Sequence, residues 1–344
     1  MTEKDLNVRN LHKNIKISVI IVNWNGKQYL EECLDSLSKQ TFKAFETILV
    51  DNGSSDGSIE FVEEHFPIVK VIKLNYNKGF CRGNNIGLQH ARGDFIALLN
   101  NDTLVDMHWL EELYRAMTKH SHVGICASCI ANYYSREVLD TAGDGFDLCG
   151  VGYKIGEGMP VTEFQKERYV FGACAGAALY RRSMIDEIGF FDERFFAVGE
   201  DLDLSFRTIL AGYKCLYVPD AIVYHKIGRT VGRNSDFLLY HSRRNVEYTF
   251  FKNMPFPLII VTFPLHIIYN FLTFAQAFFD KRINIFLKAK KDFIKNFKET
   301  YRLRKEIQEK RKISLKELFF SFSKHYLYYK TSLNLKKFIA WKNI

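Results

Sequence analysis

Apolar and polar positions alternate in blocks along the first hundred residues of the chain. Four apolar runs have strand length and end in turn-forming polar residues: residues 17–22, 46–50, 69–74 and 95–99. Apolar side chains recur at helical spacing between the first two runs, which predicts a helix over residues 27–40. A second helix is expected from Ser58 to His65. Strand, loop and helix repeating in this way predict βαβ units in a mostly parallel sheet.

The fourth run stops abruptly at Asn100, Asn101 and Asp102. A buried parallel strand that ends in a carboxylate places it at the carboxyl edge of the sheet, where open α/β sheets bind ligands. Asp51, which follows the second run, is expected at the same edge. A single Asp beside Asn residues suits a hard divalent cation, Mg²⁺ or Mn²⁺, which takes few carboxylates and adds phosphate oxygens. Taken alone, the stretch also fits an asparagine-rich turn without a ligand.

A second group of acids stands where a later helix is predicted to begin. Glu200, Asp201 and Asp203 follow an aromatic cluster, and the apolar residues after them recur at helical spacing. The helix dipole favours acids in a first turn, which is a purely structural explanation. Three acids within four residues are more than a helix start requires. We therefore expect one of them to act as a base at the mouth of a cleft.

The charge of the chain is divided unevenly. The 344 residues carry a net charge of +9, and 47% of them are hydrophobic, enough for a full core and more than one domain. Residues 281–344 hold 19 Lys and Arg against 5 Asp and Glu, whereas residues 1–280 hold 29 against 34. The acidic body argues against nucleic acid as a partner. A protein that uses its basic tail to bind nucleic acid or another anionic surface remains an alternative.

The cysteines indicate the cellular compartment, and the absence of two nucleotide-binding motifs limits the kinds of site that the protein can have. The seven cysteines form no paired framework, which favours a reduced, cytoplasmic compartment. Cys126 and Cys129 lack a second metal-binding pair, which favours core positions over zinc ligands. Residues 1–16 are polar, so we expect no signal peptide there. No GxGxxG follows the first strand and no GxxxxGK[ST] occurs, so dinucleotide and P-loop sites are unsupported.

Seven short motifs, rich in polar and small residues, are spread over the first two thirds of the chain. In chain order they are 23–26 (NWNG), 51–58 (DNGSSDGS), 75–87 (NYNKGFCRGNNIG), 99–102 (LNND), 172–178 (GACAGAA), 189–193 (GFFDE) and 200–203 (EDLD). This ordered set resembles the family 2 glycosyltransferases with a GT-A fold, particularly rhamnosyltransferase-like members. The resemblance implies an α/β nucleotide-diphospho-sugar transferase fold, with a mostly parallel Rossmann-like sheet, over residues 17–250. Residues 1–16 would be a lead before it.

The resemblance also implies roles for individual residues. Asp201 would be the catalytic general base of an inverting glycosyltransferase, with Glu200 and Arg243 in the acceptor region. Asp102 would bind the divalent cation, Mg²⁺ or Mn²⁺, as the only acid of a DxD-type motif that reads NND here. His225 would be a further metal ligand, or else an interior or acceptor-pocket histidine. Residues that would bind the donor nucleotide and sugar are Asn23, Asp51, Asn52, Lys78, Gly79, Asn84 and Asn101.

The implied donor is a UDP- or dTDP-sugar, with dTDP-L-rhamnose as one candidate, and Asp51 would hydrogen-bond its uracil or thymine. The implied acceptor is a hydroxyl of a glycan or lipid-linked molecule in cell-surface polysaccharide synthesis. By their charge, Lys78 and Arg82 are expected near phosphate oxygens, unless both belong to a solvated loop. A sugar nucleotidyltransferase is the alternative enzyme. It would need a glycine-rich, basic loop after the first strand, which NWNG is not.

The last third of the chain has a different pattern. Residues 253–279 contain no Asp, Glu, Lys or Arg and are long enough to cross a bilayer. Polar residues recur there at helical spacing, and Pro257 and Pro264 interrupt the first part; the polar positions are Thr262, His266, Asn270, Thr273 and Gln276. We therefore expect an amphipathic apolar helical segment over residues 253–280 that lies in the membrane interface. A basic helical tail, residues 281–344, would follow it.

Topology favours the interfacial position over a span. Nucleotide sugars are cytoplasmic, so a single span would export the basic tail, against the positive-inside rule. The tail suits an anionic membrane surface. The sequence thus predicts a cytoplasmic protein, peripheral on the inner face of the cell membrane. The alternative is a helical appendage that packs on the catalytic domain or on a second copy of the chain, so an oligomer stays open.

Overall fold

The computed structural model describes residues 15–226 and 235–322 of the chain. The strands are β1 (Ile17–Asn23), β2 (Phe45–Asp51), β3 (Lys70–Lys73), β4 (Phe95–Leu99), β5 (Thr103–Val105), β6 (Val123–Asn132), β7 (Leu139–Thr141), β8 (Asp144–Phe146), β9 (Gly152–Lys154), β10 (Arg168–Val170), β11 (Ala177–Arg181) and β12 (Lys214–His225). The helices are α1 (Lys27–Ser38), α2 (Ser58–His65), α3 (Phe80–His90), α4 (Trp109–Lys119), α5 (Arg182–Ile188), α6 (Glu200–Leu210), α7 (Asp236–Asn253), α8 (Phe256–Phe279), α9 (Ile283–Lys295), α10 (Phe297–Glu309) and α11 (Leu315–Ser321).

One mixed sheet organises residues 17–225, in the order β10-β12-β6-β11-β4-β1-β2-β3. The strands β3, β2, β1 and β4 pair in parallel, as do β6 and β12. Within the described residues, two strands of this row, β11 and β10, run antiparallel to their neighbours. Helices α1, α2 and α3 return the chain between the parallel strands, because a parallel connection needs a crossover. The predicted mostly parallel α/β sheet is confirmed.

The apolar runs identified in the sequence form the centre of this sheet. Along β1, Ile17, Val19 and Ile21 contribute to the core on one face, while Ile20 contributes to the core on the other. The same alternation holds along β4, whose five residues are all buried. Successive side chains of a strand point to opposite faces, so a strand covered by helices on both faces reads as a continuous apolar run.

The C-terminal helices pack on the part of the chain that carries the sheet, residues 17–225. A third core cluster joins Phe146 and Phe206 to Leu258 of α8 and Leu318 of α11. Backbone contacts add to it, since the amide of Lys312 donates to the carbonyl of residue 210 at 2.8 Å. The part of the predicted basic tail that the structure describes, residues 281–322, is therefore a packed helical layer. Residues 323–344 lie outside the described residues.

The apolar segment is one continuous helix, which corrects the expectation that its prolines interrupt it. Pro257 stands in the first turn of α8, where its missing N–H costs no helical hydrogen bond, and Pro264 lies inside the helix. Over the described residues, α8 alone is long and apolar enough to cross a membrane, and most of it is not buried in the protein.

Candidate active site

A cavity of about 670 Å³ opens at the carboxyl edge of the parallel strands. Trp24 follows β1, Asn52 follows β2, and Asn101 follows β4, and all three line the cavity. The opposite wall comes from the small-residue run before β11 and from the first turn of α6. The predicted edge therefore does carry a cleft, as expected for an open α/β sheet.

A buried network ties the strand ends beneath this cavity. The Asp51 carboxylate accepts hydrogen bonds from Asn23 Nδ2 at 3.0 Å and from the Ser54 backbone N–H at 2.9 Å. Asn23 Oδ1 in turn accepts from Asn101 Nδ2 at 2.7 Å. A Cβ atom on Gly26 would lie 2.1 Å from Asn101 Nδ2, so only glycine fits there. The NWNG, DNGSS and NND motifs thus form one structural unit, with Asp51 fully buried in it.

The loop after β3 is fixed to the same edge by Asn52. Its Nδ2 donates to Asn77 Oδ1 at 3.0 Å and to the carbonyl of Gly79 at 3.2 Å, and its Oδ1 accepts from the Lys78 backbone N–H at 2.8 Å. Gly79 has φ +87, and a Cβ atom there would meet Phe196, 2.7 Å away. Asn52 and Gly79 therefore hold the loop against the aromatic wall of the cavity.

Several of the residues predicted from the sequence lie outside the cavity lining, and four of these contact other parts of the protein instead. Lys78 Nζ lies over the ring of Tyr76, 5.2 Å from its centroid. Arg82 faces Glu193, with Nε 3.7 Å from Oε2. The two others are Asn84, whose Nδ2 donates to the carbonyl of residue 80 at 2.9 Å, and Arg243, whose Nη1 donates to the hydroxyl of residue 269 at 2.7 Å. Their proposed contacts with donor or acceptor stay predictions.

Asp102 and His225 meet beside the cavity. Antiparallel pairing of β5 with β12 brings His225, the last residue of β12, opposite Thr103. His225 Nε2 lies 3.4 Å from Asp102 Oδ1, and its Nδ1 lies 2.9 Å from Asp140 Oδ2. Burial lowers the pKa of His225, but the two carboxylates outweigh burial and raise it to about 9. Lys154 Nζ donates to the other oxygen of Asp140 at 2.5 Å.

This pair fits a divalent cation. Asp102 Oδ1 is buried and forms an ion pair with His225, but it accepts no hydrogen bond among residues 15–226 and 235–322. In the same ranges, no group of three or more His, Cys, Asp and Glu side chains is arranged to hold a metal. A cation that takes a carboxylate and an imidazole here would complete its shell with phosphate oxygens and water, as Mg²⁺ does at nucleotide sites. Asp140 orients the imidazole, as second-sphere carboxylates do for metal-binding histidines.

The first turn of α6 presents two acids to the cavity. Asp201 accepts backbone hydrogen bonds from Ala175 at 3.2 Å and from Leu202 at 2.8 Å, which favour its charged form, although burial raises its pKa. Glu200 is buried, and its Oε2 has no hydrogen-bond partner in the described part of the chain. Burial, and next the charge of Asp201, raise the pKa of Glu200 well above its usual range. The two neighbouring acids therefore differ in their tendency to ionise.

Asp203 belongs to a different environment from the other two acids. It is fully buried, with Arg207 Nε at 3.0 Å, Lys252 Nζ at 2.9 Å and Asn253 Nδ2 at 2.8 Å. Burial raises its pKa, but Lys252 and Arg207 outweigh burial and hold the pKa below its usual value. Asp203 therefore links α6 to α7 and cannot reach an acceptor in the cavity.

The sequence reasoning missed an aromatic wall and the residue that holds it. Phe196 and Phe237 line the cavity. Phe196 and Val198 have φ values of +64 and +73, which are unusual for residues with a side chain. Asn245 Nδ2 bonds three carbonyls of this loop, those of residues 195, 197 and 198, at 2.7–3.0 Å. In the sequence, Asn245 follows Arg243 and Arg244 but belongs to none of the motifs, and no local pattern singles out Asp140.

Comparison with known proteins identifies the family of this chain. The family model described as Glycosyl transferase family 2 matches residues 18–189. An uncharacterized glycosyltransferase of Haemophilus influenzae is 28% identical over 144 residues, which are 41% of this chain and 42% of that protein. An N-acetylglucosaminyl-diphospho-decaprenol L-rhamnosyltransferase of Mycobacterium tuberculosis is 27% identical over 247 residues, which are 63% of this chain and 78% of that protein.

Among solved structures, that of GalNAc-T7 with UDP, GalNAc and Mn²⁺ is similar, with a TM-score of 0.56 and 20% identity over 70% of this chain and 50% of that one. This likeness shows the fold, which is the GT-A fold implied by the motifs. The chain spans 42%, 60% and 30% of relatives from Haemophilus influenzae, Bacillus subtilis and Streptococcus pneumoniae. Since the family match extends over half of its length, the chain belongs to glycosyl transferase family 2.

Proposed function

We propose that this protein is an inverting glycosyltransferase that moves a sugar from a nucleotide-diphosphate donor to a hydroxyl of an acceptor. The observation that carries the proposal is the composition of one cavity. Asp201 lines it, held by backbone N–H groups, and so do the two asparagines that precede Asp102. A base and a candidate cation site thus adjoin the same space, as a single displacement requires.

In the proposed reaction, the acceptor hydroxyl oxygen attacks the anomeric carbon while Asp201 takes the hydroxyl proton. The new carbon–oxygen bond forms on one face of the sugar as the bond to the diphosphate breaks on the other, so the configuration inverts. The electron pair of the broken bond leaves with the diphosphate. Burial favours the neutral form of Glu200, so this neighbour of the base adds no second negative charge beside it.

Asp102 and His225 would hold a divalent cation in this proposal, and Asp140 would keep the ring of His225 in position. When bound, the cation supplies positive charge to the leaving diphosphate. Support comes from the buried Asp102 oxygen that accepts no hydrogen bond in the described ranges, and from the GalNAc-T7 structure, which contains UDP and Mn²⁺. Either Mg²⁺ or Mn²⁺ suits this donor set.

The proposed donor is a UDP- or dTDP-sugar, seated over the network of Asn23, Asp51 and Asn101. The rhamnosyltransferase of Mycobacterium tuberculosis supports dTDP-L-rhamnose as one candidate. The same relative, named for an acceptor on diphospho-decaprenol, supports a lipid-linked or glycan acceptor in cell-surface polysaccharide synthesis. Such substrates would place the protein in the cytoplasm, on the inner face of the cell membrane.

A thermal-shift screen of UDP-, dTDP- and GDP-sugars, with and without Mn²⁺, tests the donor. A ligand at 100 times its dissociation constant stabilises the folded protein by about 2.7 kcal/mol. We expect a UDP- or dTDP-sugar to raise the melting temperature, more strongly with Mn²⁺. Pyrophosphate release from a nucleoside triphosphate and a sugar 1-phosphate would identify a sugar nucleotidyltransferase instead, and no stabilisation by any nucleotide sugar would count against both enzymes, because a nucleotide sugar is the product of the second.

A further inference from the structure

The polar side of helix α8 faces the protein, and its apolar side faces outward. Thr262 and His266 are only 1% and 2% exposed, whereas Phe271 and Phe279 are 68% and 79% exposed. The polar stripe that predicts an amphipathic helix packs on the protein, and of its five positions only Gln276 is exposed. A helix with polar residues inside and apolar residues outside is inverted relative to a helix that packs on a soluble core.

Buried polar contacts fix the rotation of this helix. His266 Nδ1 lies 2.7 Å from the carbonyl of Cys149, and its Nε2 lies 3.0 Å from Glu247 Oε2. The ring of Phe250 stacks on His266 at 3.9 Å between centroids. Lys290 of α9 bonds the second oxygen of Glu247. Turning the apolar side inward would bury Phe271 at the cost of these partners, so the outward side is set by the fold.

The apolar surface continues onto the next two helices. Phe274 of α8 and Ile294 of α9 line one groove, and Phe256 of α8 and Tyr301 of α10 line another. Ile294, Tyr301 and Phe256 are all strongly exposed. The outward side of α8 with the adjoining sides of α9 and α10 is named here the apolar face. Exposed apolar side chains that adjoin one another over several helices, rather than standing singly, mark an interaction site.

Basic residues border the apolar face. Lys291 follows Leu287 by four residues and precedes Ile294 by three on α9, so all three share one side of that helix. Lys305 Nζ lies over the ring of Tyr301, 5.1 Å from its centroid. Over residues 281–322, Lys and Arg number 14 against 5 Asp and Glu. An apolar centre with a cationic border is complementary to an anionic lipid surface.

We propose that the apolar face inserts into one leaflet of an anionic bilayer, with α8 lying along the surface. A span is disfavoured, because α8 would carry the Glu247–His266–Lys290 contacts into the hydrocarbon region. A second copy of the chain is disfavoured as the occupant, because a two-fold interface would bring the cationic borders together. The assignment of the apolar face as a membrane-binding surface rests on the geometry of the helices alone. Its placement on the cytoplasmic leaflet rests on the proposed function.

Helix α7 connects this surface to the cavity. Phe237, near its start, lines the cavity, and Glu247, ten residues later, bonds α8. Ten residues of α-helix extend roughly 15 Å. The fold thereby holds the cavity at a fixed, short distance from the membrane, where the reacting group of a lipid-linked acceptor would lie.

Sedimentation of the full-length protein with lipid vesicles tests the inference. The vesicles are phosphatidylcholine with or without phosphatidylglycerol. We expect binding to the mixed vesicles, weakened by salt because screening reduces the electrostatic part. The double variant Ile267→Glu, Phe271→Glu should need about tenfold more lipid for half-maximal binding. The matched control Ile68→Glu alters an apolar side chain that is 88% exposed and lies between α2 and β3, outside the apolar face, and it should bind like the wild type.

Two outcomes would overturn the inference. One is a wild type that ignores both vesicle types but self-associates in light scattering, with the double variant monomeric, because the apolar face is then a dimer interface. The other is a wild type that resists alkaline washing and exposes its C-terminus to protease outside intact cells, because α8 then spans. Asp201→Asn should bind vesicles like the wild type, so a failed activity assay and a failed docking assay remain distinguishable.

Discussion

Two groups of buried acids in this protein have opposite surroundings. At the junction of α6 and α7, Asp192 and Asp203 both bind Lys252, at 2.7 and 2.9 Å. At the cavity, Glu200 Oε2 is buried without a hydrogen-bond partner in the described ranges, and Asp102 Oδ1, beside the cavity, has an ion-pair contact with His225 but accepts no hydrogen bond there. A fully paired buried acid holds structure together, whereas an unpaired buried oxygen costs stability and marks a place where a ligand or chemistry is expected.

The difference separates residues that the sequence cannot separate. Asp201 and Asp203 stand two positions apart in the first turn of one helix. Helical geometry turns Asp201 toward the small-residue run of the cavity wall and Asp203 toward Lys252. Partners in space, rather than proximity in sequence, divide a candidate base from a structural acid.

The largest expected effect is on turnover at Asp201. Replacing the base with an amide, Asp201→Asn, should lower the transfer rate by about 10²–10⁴-fold, because the amide cannot accept the acceptor proton. The measurement is nucleoside diphosphate release with donor and acceptor present. Donor binding and the melting temperature should stay near those of the wild type, because the Asp201 carboxylate is held by backbone N–H groups and no Lys or Arg side chain of the described residues loses an ion-pair partner. A variant that transfers sugar at the normal rate would break the division drawn above.

Replacing Asp203, the acid that is paired with Lys252 and Arg207, should reduce the stability of the fold, in contrast to replacing Asp201. Asp203→Asn removes a charge that faces Lys252 and Arg207 and should cost about 3–5 kcal/mol of stability, measured by denaturant unfolding. Because the folded pKa of Asp203 is depressed, its contribution is present above its unfolded pKa of about 3.9 and is lost as pH falls through its folded pKa. The variant should lack this acid-dependent loss. Full stability in the variant would show that the ion pairs contribute nothing.

Asp140 sharpens the comparison at the candidate cation site. Asp140→Asn replaces the carboxylate that faces His225 Nδ1 at 2.9 Å. The imidazole should lose its fixed orientation, and Mn²⁺ binding should weaken by about 10–100-fold. Calorimetry of Mn²⁺ in the presence of UDP or dTDP measures this, and nucleotide binding without metal is the control. Unchanged Mn²⁺ affinity would show that His225 needs no partner or binds no cation.

The smallest effect is expected at Glu200. Its pKa is raised well above the usual range by burial, so the neutral acid and the neutral amide of Glu200→Gln are close in charge and shape. Turnover at neutral pH should change by less than about threefold, because an isosteric exchange of a neutral group is nearly neutral in energy. A steady-state assay beside Asp201→Asn gives the contrast. A loss as large as that of Asp201→Asn would assign the base to Glu200.

The local sequence pattern was sufficient to predict features that depend on a single strand or helix. The apolar run Phe95–Leu99 predicts a buried central strand because both its faces are covered. The acids at positions 51 and 102 fall at one edge because parallel strands share a direction. These properties follow from chain periodicity alone.

The rest depended on partners far apart in the chain. Asp140 reaches His225 only because β7 and β12 both pair with β6, a register that no local pattern contains. Periodicity predicts that α8 has a polar and an apolar side, but not which side meets the protein. The buried position of Glu247, nineteen residues before His266, settles that orientation.

The pH dependence of kcat/KM tests the central claim most directly, because it reports the ionisation of the base in the free enzyme. Burial raises the pKa of Asp201, so wild-type activity should fall on the acid side with a midpoint above the ordinary aspartate value of about 3.9. This acid limb should disappear from the residual activity of Asp201→Asn and persist in Glu200→Gln. An unchanged acid limb in Asp201→Asn would contradict the assignment of Asp201 as the base.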